Sequence, residues 1–133
     1  RDYKVTGVQT CALPICDLDG CLIYHPDDFV GMSFSPLKIK VIDGVKDKLL
    51  SWHVKGYKII ITTGRPDPQR YELERLLANE GVFYHKLITD CGSGPRYLIN
   101  DREPGRLTNK AFAINLDRNE GISDVDLRVD AIS

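Results

Sequence analysis

Tyr57-Lys58-Ile59-Ile60-Ile61-Thr62, followed at once by Thr63-Gly64-Arg65, is the stretch that settles the fold class. Three adjacent β-branched isoleucines between tyrosine and threonine suit a strand buried on both faces, which is the pattern of a parallel sheet. On its amino side, Asp43-Gly44 opens a helical period in which Val45, Leu49, Trp52 and His53 share one face, and Gly56 supplies the stop. On its carboxyl side, Asp67-Pro68 sets a helix start, and Tyr71, Leu73, Leu76 and Leu77 carry the apolar period to a stop at Gly81. Short apolar runs alternating with helical periods predict an α/β domain with a mostly parallel sheet. Residues 83–88, 96–100 and 111–116 are the further strands this reading expects, with Cys91-Gly-Ser-Gly-Pro95 as a turn.

A strand is also expected to end at Asp17, in front of Leu18-Asp19-Gly20. Ahead of it, Val5-Thr-Gly-Val-Gln-Thr-Cys-Ala-Leu-Pro-Ile15 resembles, residue for residue, the translation of a sequencing-library adapter. Residues 1–15 are accordingly expected to be an artefactual start, residues 16–121 the functional domain and residues 122–133 a polar tail. Because Pro14 has no N–H for a ladder bond, the first strand should be short or irregular.

The 133 residues fit one core. Eighteen basic and 19 acidic residues in mixed order leave no electrostatic footprint for nucleic acid or an anionic membrane. No apolar run approaches the roughly 20 residues of a spanning helix, and the expectation is a cytoplasmic protein. Cys11, Cys16, Cys21 and Cys91 form no CxxC pair, so free thiols are expected rather than zinc ligands or disulfides.

Three groups of residues carry chemistry. Ligands of open parallel sheets bind beyond the carboxyl ends of strands, where Asp17-Leu18-Asp19-Gly20 falls. Two aspartates one residue apart can divide the work: Asp17 attacks phosphorus, and Asp19 gives a proton to the leaving oxygen and later activates water. A calcium loop would need a glutamate about twelve positions from the start; Asp28 and Phe29 stand there instead. Thr63-Gly64-Arg65 brings a hydroxyl and a guanidinium suited to phosphoryl oxygens. Leu98-Ile99-Asn100-Asp101 ends an apolar run in an acid. If that run neighbours the first strand, Asp101 and Asp17 converge on one cation, and few carboxylates plus phosphate and water suit magnesium.

In this order and spacing the three groups resemble motifs one, two and four of the haloacid dehalogenase-like phosphatases, over about residues 16–121. The run is similar to small bacterial and phage members without a large cap domain, in which Lys55–Arg65 and Ala113–Gly121 recur in close form. The resemblance implies a Rossmann-like three-layer α/β/α core. It also implies a phosphoaspartate at Asp17, acid–base work at Asp19, phosphate binding by Thr63 with Gly64 and Arg65, and Mg2+ held by Asp17, Asp101 and the backbone carbonyl of Asp19. Cys21 stands where the family has threonine. No motif-three lysine is evident, and Arg96 is preferred over Lys86 as the cation that offsets the acids and phosphate. Only residues 22–42 leave room for an insertion over the site, so an open site is expected, serving a phosphorylated small molecule or polymer end. The rival readings are a phosphoacceptor or regulatory domain, which keeps its acyl phosphate, and an inactive phosphate-binding module.

Overall fold

A computed structural model describes residues 12–26, 38–105, 107 and 109–127; the start up to residue 11, most of the 22–42 insertion and the last residues of the expected tail lie outside these. Three short parallel strands, β1 (Ile15–Asp17), β2 (Ile60–Thr62) and β3 (Lys86–Ile88), form one sheet in the order β1-β2-β3. The 10-residue helix α1 (Val45–Val54) connects β1 to β2, and α2 (Arg70–Asn79) connects β2 to β3. The fold is therefore a small α/β fold with a parallel sheet. Among the described residues no helix is long and apolar enough to cross a membrane.

The isoleucine run is fully buried on one face only: Ile59 and Ile61 are fully buried, with Leu87 of β3 beside Ile61 in register, while Ile60 on the opposite face is partly buried. Trp52, Val45 and Leu49 bury the inner face of α1, and Leu73 and Leu77 that of α2. His53 departs from the expected face; it is exposed and stacks on Phe83 at 4.0 Å between ring centroids. Tyr71 is likewise exposed, because it precedes buried Leu73 by two positions, over half a helical turn away. Gly56 and Gly81 end the two helices at φ 89° and 77°, a backbone region that disfavours any side chain.

Strand β1 is short, as are β2 and β3, and its pairing with β2 continues past Pro14. Pro14 offers its carbonyl to Ile60 N at 3.0 Å, and Ala12 its carbonyl to Lys58 N at 3.2 Å, while the proline nitrogen has nothing to donate. Beyond the strand, Leu18 N donates to Thr62 O at 2.9 Å, carrying the ladder one step further toward the acids.

Two expected strands are absent. Residues 96–100 and 111–116 take no strand pairing, and Tyr97, Leu98, Ile99, Phe112 and Ile114 are exposed. A parallel neighbour of β1 must enter from the amino end of the sheet. The Arg96 guanidinium instead lies 3.8 Å from Asp17 at the carboxyl end, so the segment that follows starts at the wrong end to run beside β1. The described residues thus form a small α/β fold of three parallel strands and two helices. Farther on, Ile122 is buried, Val125 and Leu127 pack against the core, and Lys48 Nζ donates to Val125 O at 2.9 Å. That part of the stretch read as a polar tail belongs to the packed body.

Candidate active site at the carboxyl end of the sheet

The loop after β1 turns on Leu18. Its side chain is fully buried, and its carbonyl accepts from the amides of Cys21, Leu22 and Ile23 at 3.3, 3.0 and 3.1 Å. Gly20, at φ 90°, makes this reversal without strain. Asp17 and Asp19 flank the anchored leucine and emerge beside the end of β2.

The two acids meet different environments. Asp19 is largely enclosed: Thr63 Oγ1 donates to its Oδ2 at 3.0 Å, Arg65 Nη2 to Oδ1 at 2.8 Å, and Arg65 Nε lies 3.2 and 3.3 Å from the two oxygens. Asp17 keeps 47% of its side chain exposed; it accepts from Thr62 Oγ1 at 3.4 Å and faces Arg96 Nη2 at 3.8 Å. Burial of the carboxylate raises the Asp17 pKa above its ordinary 3.8, and the Asp19 charge adds to the rise, while Arg96 and Thr62 oppose it. Burial also pushes Cys16 up to about 12 and raises Cys21, so both thiols stay neutral beside the acids and neither is a competing nucleophile.

Strand register explains which hydroxyl serves which acid. Asp17 pairs with Thr62 across β1 and β2, so the two side chains share a face; Thr63 points to the other face and is fully buried. Thr63 also ties the strand ends together, with its amide donating to Ile88 O at 2.9 Å and its carbonyl accepting from Cys91 N at 3.0 Å. Thr62, on the opposite side of the strand from Thr63, is the hydroxyl that reaches Asp17.

Arg96 arrives from the glycine turn. Nη1 donates to the carbonyls of Cys91 and Gly94 at 3.2 and 2.8 Å, and Nη2 to that of Gly92 at 2.9 Å, fixing the guanidinium in front of Asp17. Lys86 begins β3, two register rows away from the row of Thr62 and Asp17. Of the two candidate cations, Arg96 is the one placed at the acid. The turn rests closely on Gly64, where an added Cβ would stand 2.8 Å from Gly92 O. Gly64→Ala must therefore displace backbone, and we expect it to lower stability by about 1–3 kcal/mol in denaturant melts, in the range of other overpacked sites. A variant as stable as the parent would show that the 91–94 turn yields freely.

Asp101 does not join the cluster. It is exposed in a segment without regular structure, and among the described residues no group of three or more His, Cys, Asp or Glu side chains is placed to hold a metal ion. The expected set of Asp17, Asp19 and Asp101 is thus not assembled, and the described donors do not by themselves fit a complete magnesium site. The sequence also gave no role to Asn119, which clamps the acidic loop from a distance. Its amide donates to Gly20 O at 2.7 Å and its Oδ1 accepts from His25 N at 2.8 Å, at a φ of 68° that asparagine tolerates better than most residues.

No family model and no curated protein matches the chain. Among solved structures, a chain of the Pnkp1/Rnl/Hen1 complex is 29% identical, with a TM-score of 0.49, over 66% of this chain and 30% of that one. A chain of the Pnkp1/Rnl/Hen1 RNA repair complex is 31% identical, with a TM-score of 0.48, over 59% and 25%. This chain therefore spans less than a third of the length of either.

Proposed function

We propose that the protein is a magnesium-dependent phosphomonoester hydrolase of the haloacid dehalogenase-like type, working through a phosphoaspartate on Asp17 in a Rossmann-like core. The observation that carries the reading is the division of labour between two acids one residue apart. Asp17 is half-exposed and faces a guanidinium, as a nucleophile approaching a phosphate dianion requires, whereas Asp19 is fixed by Thr63 and Arg65. An Asp17 oxygen attacks phosphorus as the bond to the leaving oxygen breaks, and Asp19 supplies the proton that oxygen takes up. Water then attacks the phosphorus of the acyl phosphate, Asp19 takes its proton, and the Asp17 carboxylate is restored with release of inorganic phosphate. Arg96 offsets the negative charge that gathers on the phosphoryl oxygens.

The substrate is a phosphorylated small molecule or polymer end. Magnesium is proposed on the carboxylate content of the motifs, and each step above uses only side chains of the chain and water. Cys16, Cys21 and Cys91 are free thiols, as a reducing cytoplasmic setting would keep them.

A second reading, a phosphate-binding or phosphoacceptor domain without turnover, draws on the separation of Asp101 from the two acids. Release of p-nitrophenol from p-nitrophenyl phosphate, with magnesium and after chelation, decides between them. Steady release that chelation abolishes is the expected result. Binding of inorganic phosphate with no release in magnesium would establish the second reading instead.

A further inference from the structure

The best-built ion pair at the site is not the one facing the nucleophile. Arg65 and Asp19 are 14% and 17% exposed, against 43% and 47% for Arg96 and Asp17. The Nε and Nη2 edge of Arg65 lies along the Asp19 carboxylate, with Nη2 at 2.8 Å and Nε at 3.2 and 3.3 Å, and Thr63 Oγ1 completes the set at 3.0 Å. The clamp is itself supported, since Arg65 N donates to Thr63 Oγ1 at 3.2 Å and Arg65 O accepts from Asp90 N at 2.9 Å. The Nε and Nη2 edge of this guanidinium is thereby turned to Asp19. The edge of Arg65 expected to meet a phosphoryl group lies along a carboxylate instead.

From this geometry we infer that Arg65 is a positioning residue for Asp19, acting chiefly in the second half of the reaction, when the phosphoaspartate is hydrolysed. The inference rests on the reading of Asp17 as nucleophile and Asp19 as proton carrier. In that half-reaction Asp19 must be ionised and aimed at the incoming water. The two-pronged fork fixes the carboxylate plane, while two oxygens with about four lone-pair sites still leave one to accept the water proton. The water oxygen bonds to phosphorus, the bond from phosphorus to the Asp17 oxygen breaks with its electron pair returning to the carboxylate, and the proton passes to Asp19. Without Arg65 the carboxylate is free to rotate, so water is activated less often and the acyl phosphate persists.

The test compares the parent chain with Arg65→Gln and Arg65→Lys, using p-nitrophenyl phosphate for steady-state rates and acid-quenched phenyl [32P]phosphate reactions for protein-bound phosphate. Thermal melts identify any variant that is not folded. We expect kcat of Arg65→Gln to fall on the order of 10²-fold, the lower range of general acid–base contributions, with KM falling in step and kcat/KM little changed, because kcat/KM reports only the steps up to phosphorylation of Asp17. Acid-stable protein-bound phosphate should rise above the parent level and p-nitrophenol should appear in a burst. Arg65→Lys, which keeps the charge but not the fork, should recover part of kcat. A raised KM with unchanged kcat and no added phosphoprotein would return Arg65 to phosphate binding and overturn the inference, even with the parent chain active. A parent chain that neither turns over substrate nor becomes labelled would overturn the phosphatase reading itself.

Discussion

Asp17→Asn is expected to abolish phosphatase turnover while leaving the chain folded, and with chelator present at neutral pH it should raise the melting temperature. The catalytic loss follows from chemistry: a neutral amide is a poor nucleophile toward phosphorus, and removal of an attacking group typically lowers kcat by on the order of 10³-fold or more. The gain in stability follows from the raised pKa of Asp17, whose largest cause is burial; repulsion from Asp19 adds to the rise, and Arg96 and Thr62 oppose it. A carboxyl whose folded pKa lies above its unfolded value stabilises the fold fully below the unfolded value, about 3.8, and that stabilisation is lost as pH rises through the folded value. At neutral pH the ionised carboxylate is therefore a burden that asparagine removes. The melting gain should shrink in acid, where the parent is already neutral. Turnover by the variant at the parent rate would remove Asp17 from the chemistry, and a lower melting temperature would show that the Arg96 contact outweighs desolvation.

The parts of this fold that were legible in the sequence are those in which a side chain's fate depends on near neighbours. Ile59 and Ile61 signal a buried strand, and both are fully buried, although Ile60 on the opposite face is only partly so. Val45, Leu49 and Trp52 recur at helical spacing and line the inner side of α1. Residues 96–100 carry the same apolar signal as β2, yet they are exposed, because an apolar run becomes a strand only when an edge is presented in the right direction. The bonds that Arg96 gives to three turn carbonyls fix where that segment begins, and residue periodicity holds no information about them.

The site divides along the same line. Spacing brings Asp17 and Asp19 to a strand end and puts Thr63 and Arg65 after a neighbouring strand, and these residues do meet. Their pairing is another matter. A guanidinium and a hydroxyl after a strand suit a phosphate or a carboxylate equally, and only the position of Asp19 above β2 commits both to the carboxylate. Asn119 lies 99 positions beyond Gly20, whose carbonyl its amide bonds, and no local pattern links the two. Asp101 shows the converse: an acid at the end of an apolar run is a sound candidate for a metal ligand, but its position depends on a strand that the described chain does not form.

The largest stability loss should come from beneath the site, at Ile61. It is the middle residue of the central strand, fully buried, with Cys16 on one side and Leu87 on the other. Isoleucine to alanine at such a position costs about 2–5 kcal/mol, the lost transfer energy plus the cavity left where the surroundings cannot close. Small domains are stable by only about 5–15 kcal/mol, so Ile61→Ala should consume a large share of what holds a sheet of three-residue strands together. Ile61→Val, which removes a single methylene and keeps the β-branch, should cost about 0.5–1.5 kcal/mol. Thr62 and Thr63 follow Ile61 directly, and their hydroxyls hold Asp17 and Asp19. Any collapse of β2 into the cavity therefore shifts both acids, so the alanine variant should lose turnover even at temperatures where it remains folded, whereas the valine variant should retain it. Denaturant melts paired with rates for the two variants measure both effects, and equal midpoints for alanine and the parent would show that Ile61 does not support the sheet as its burial requires.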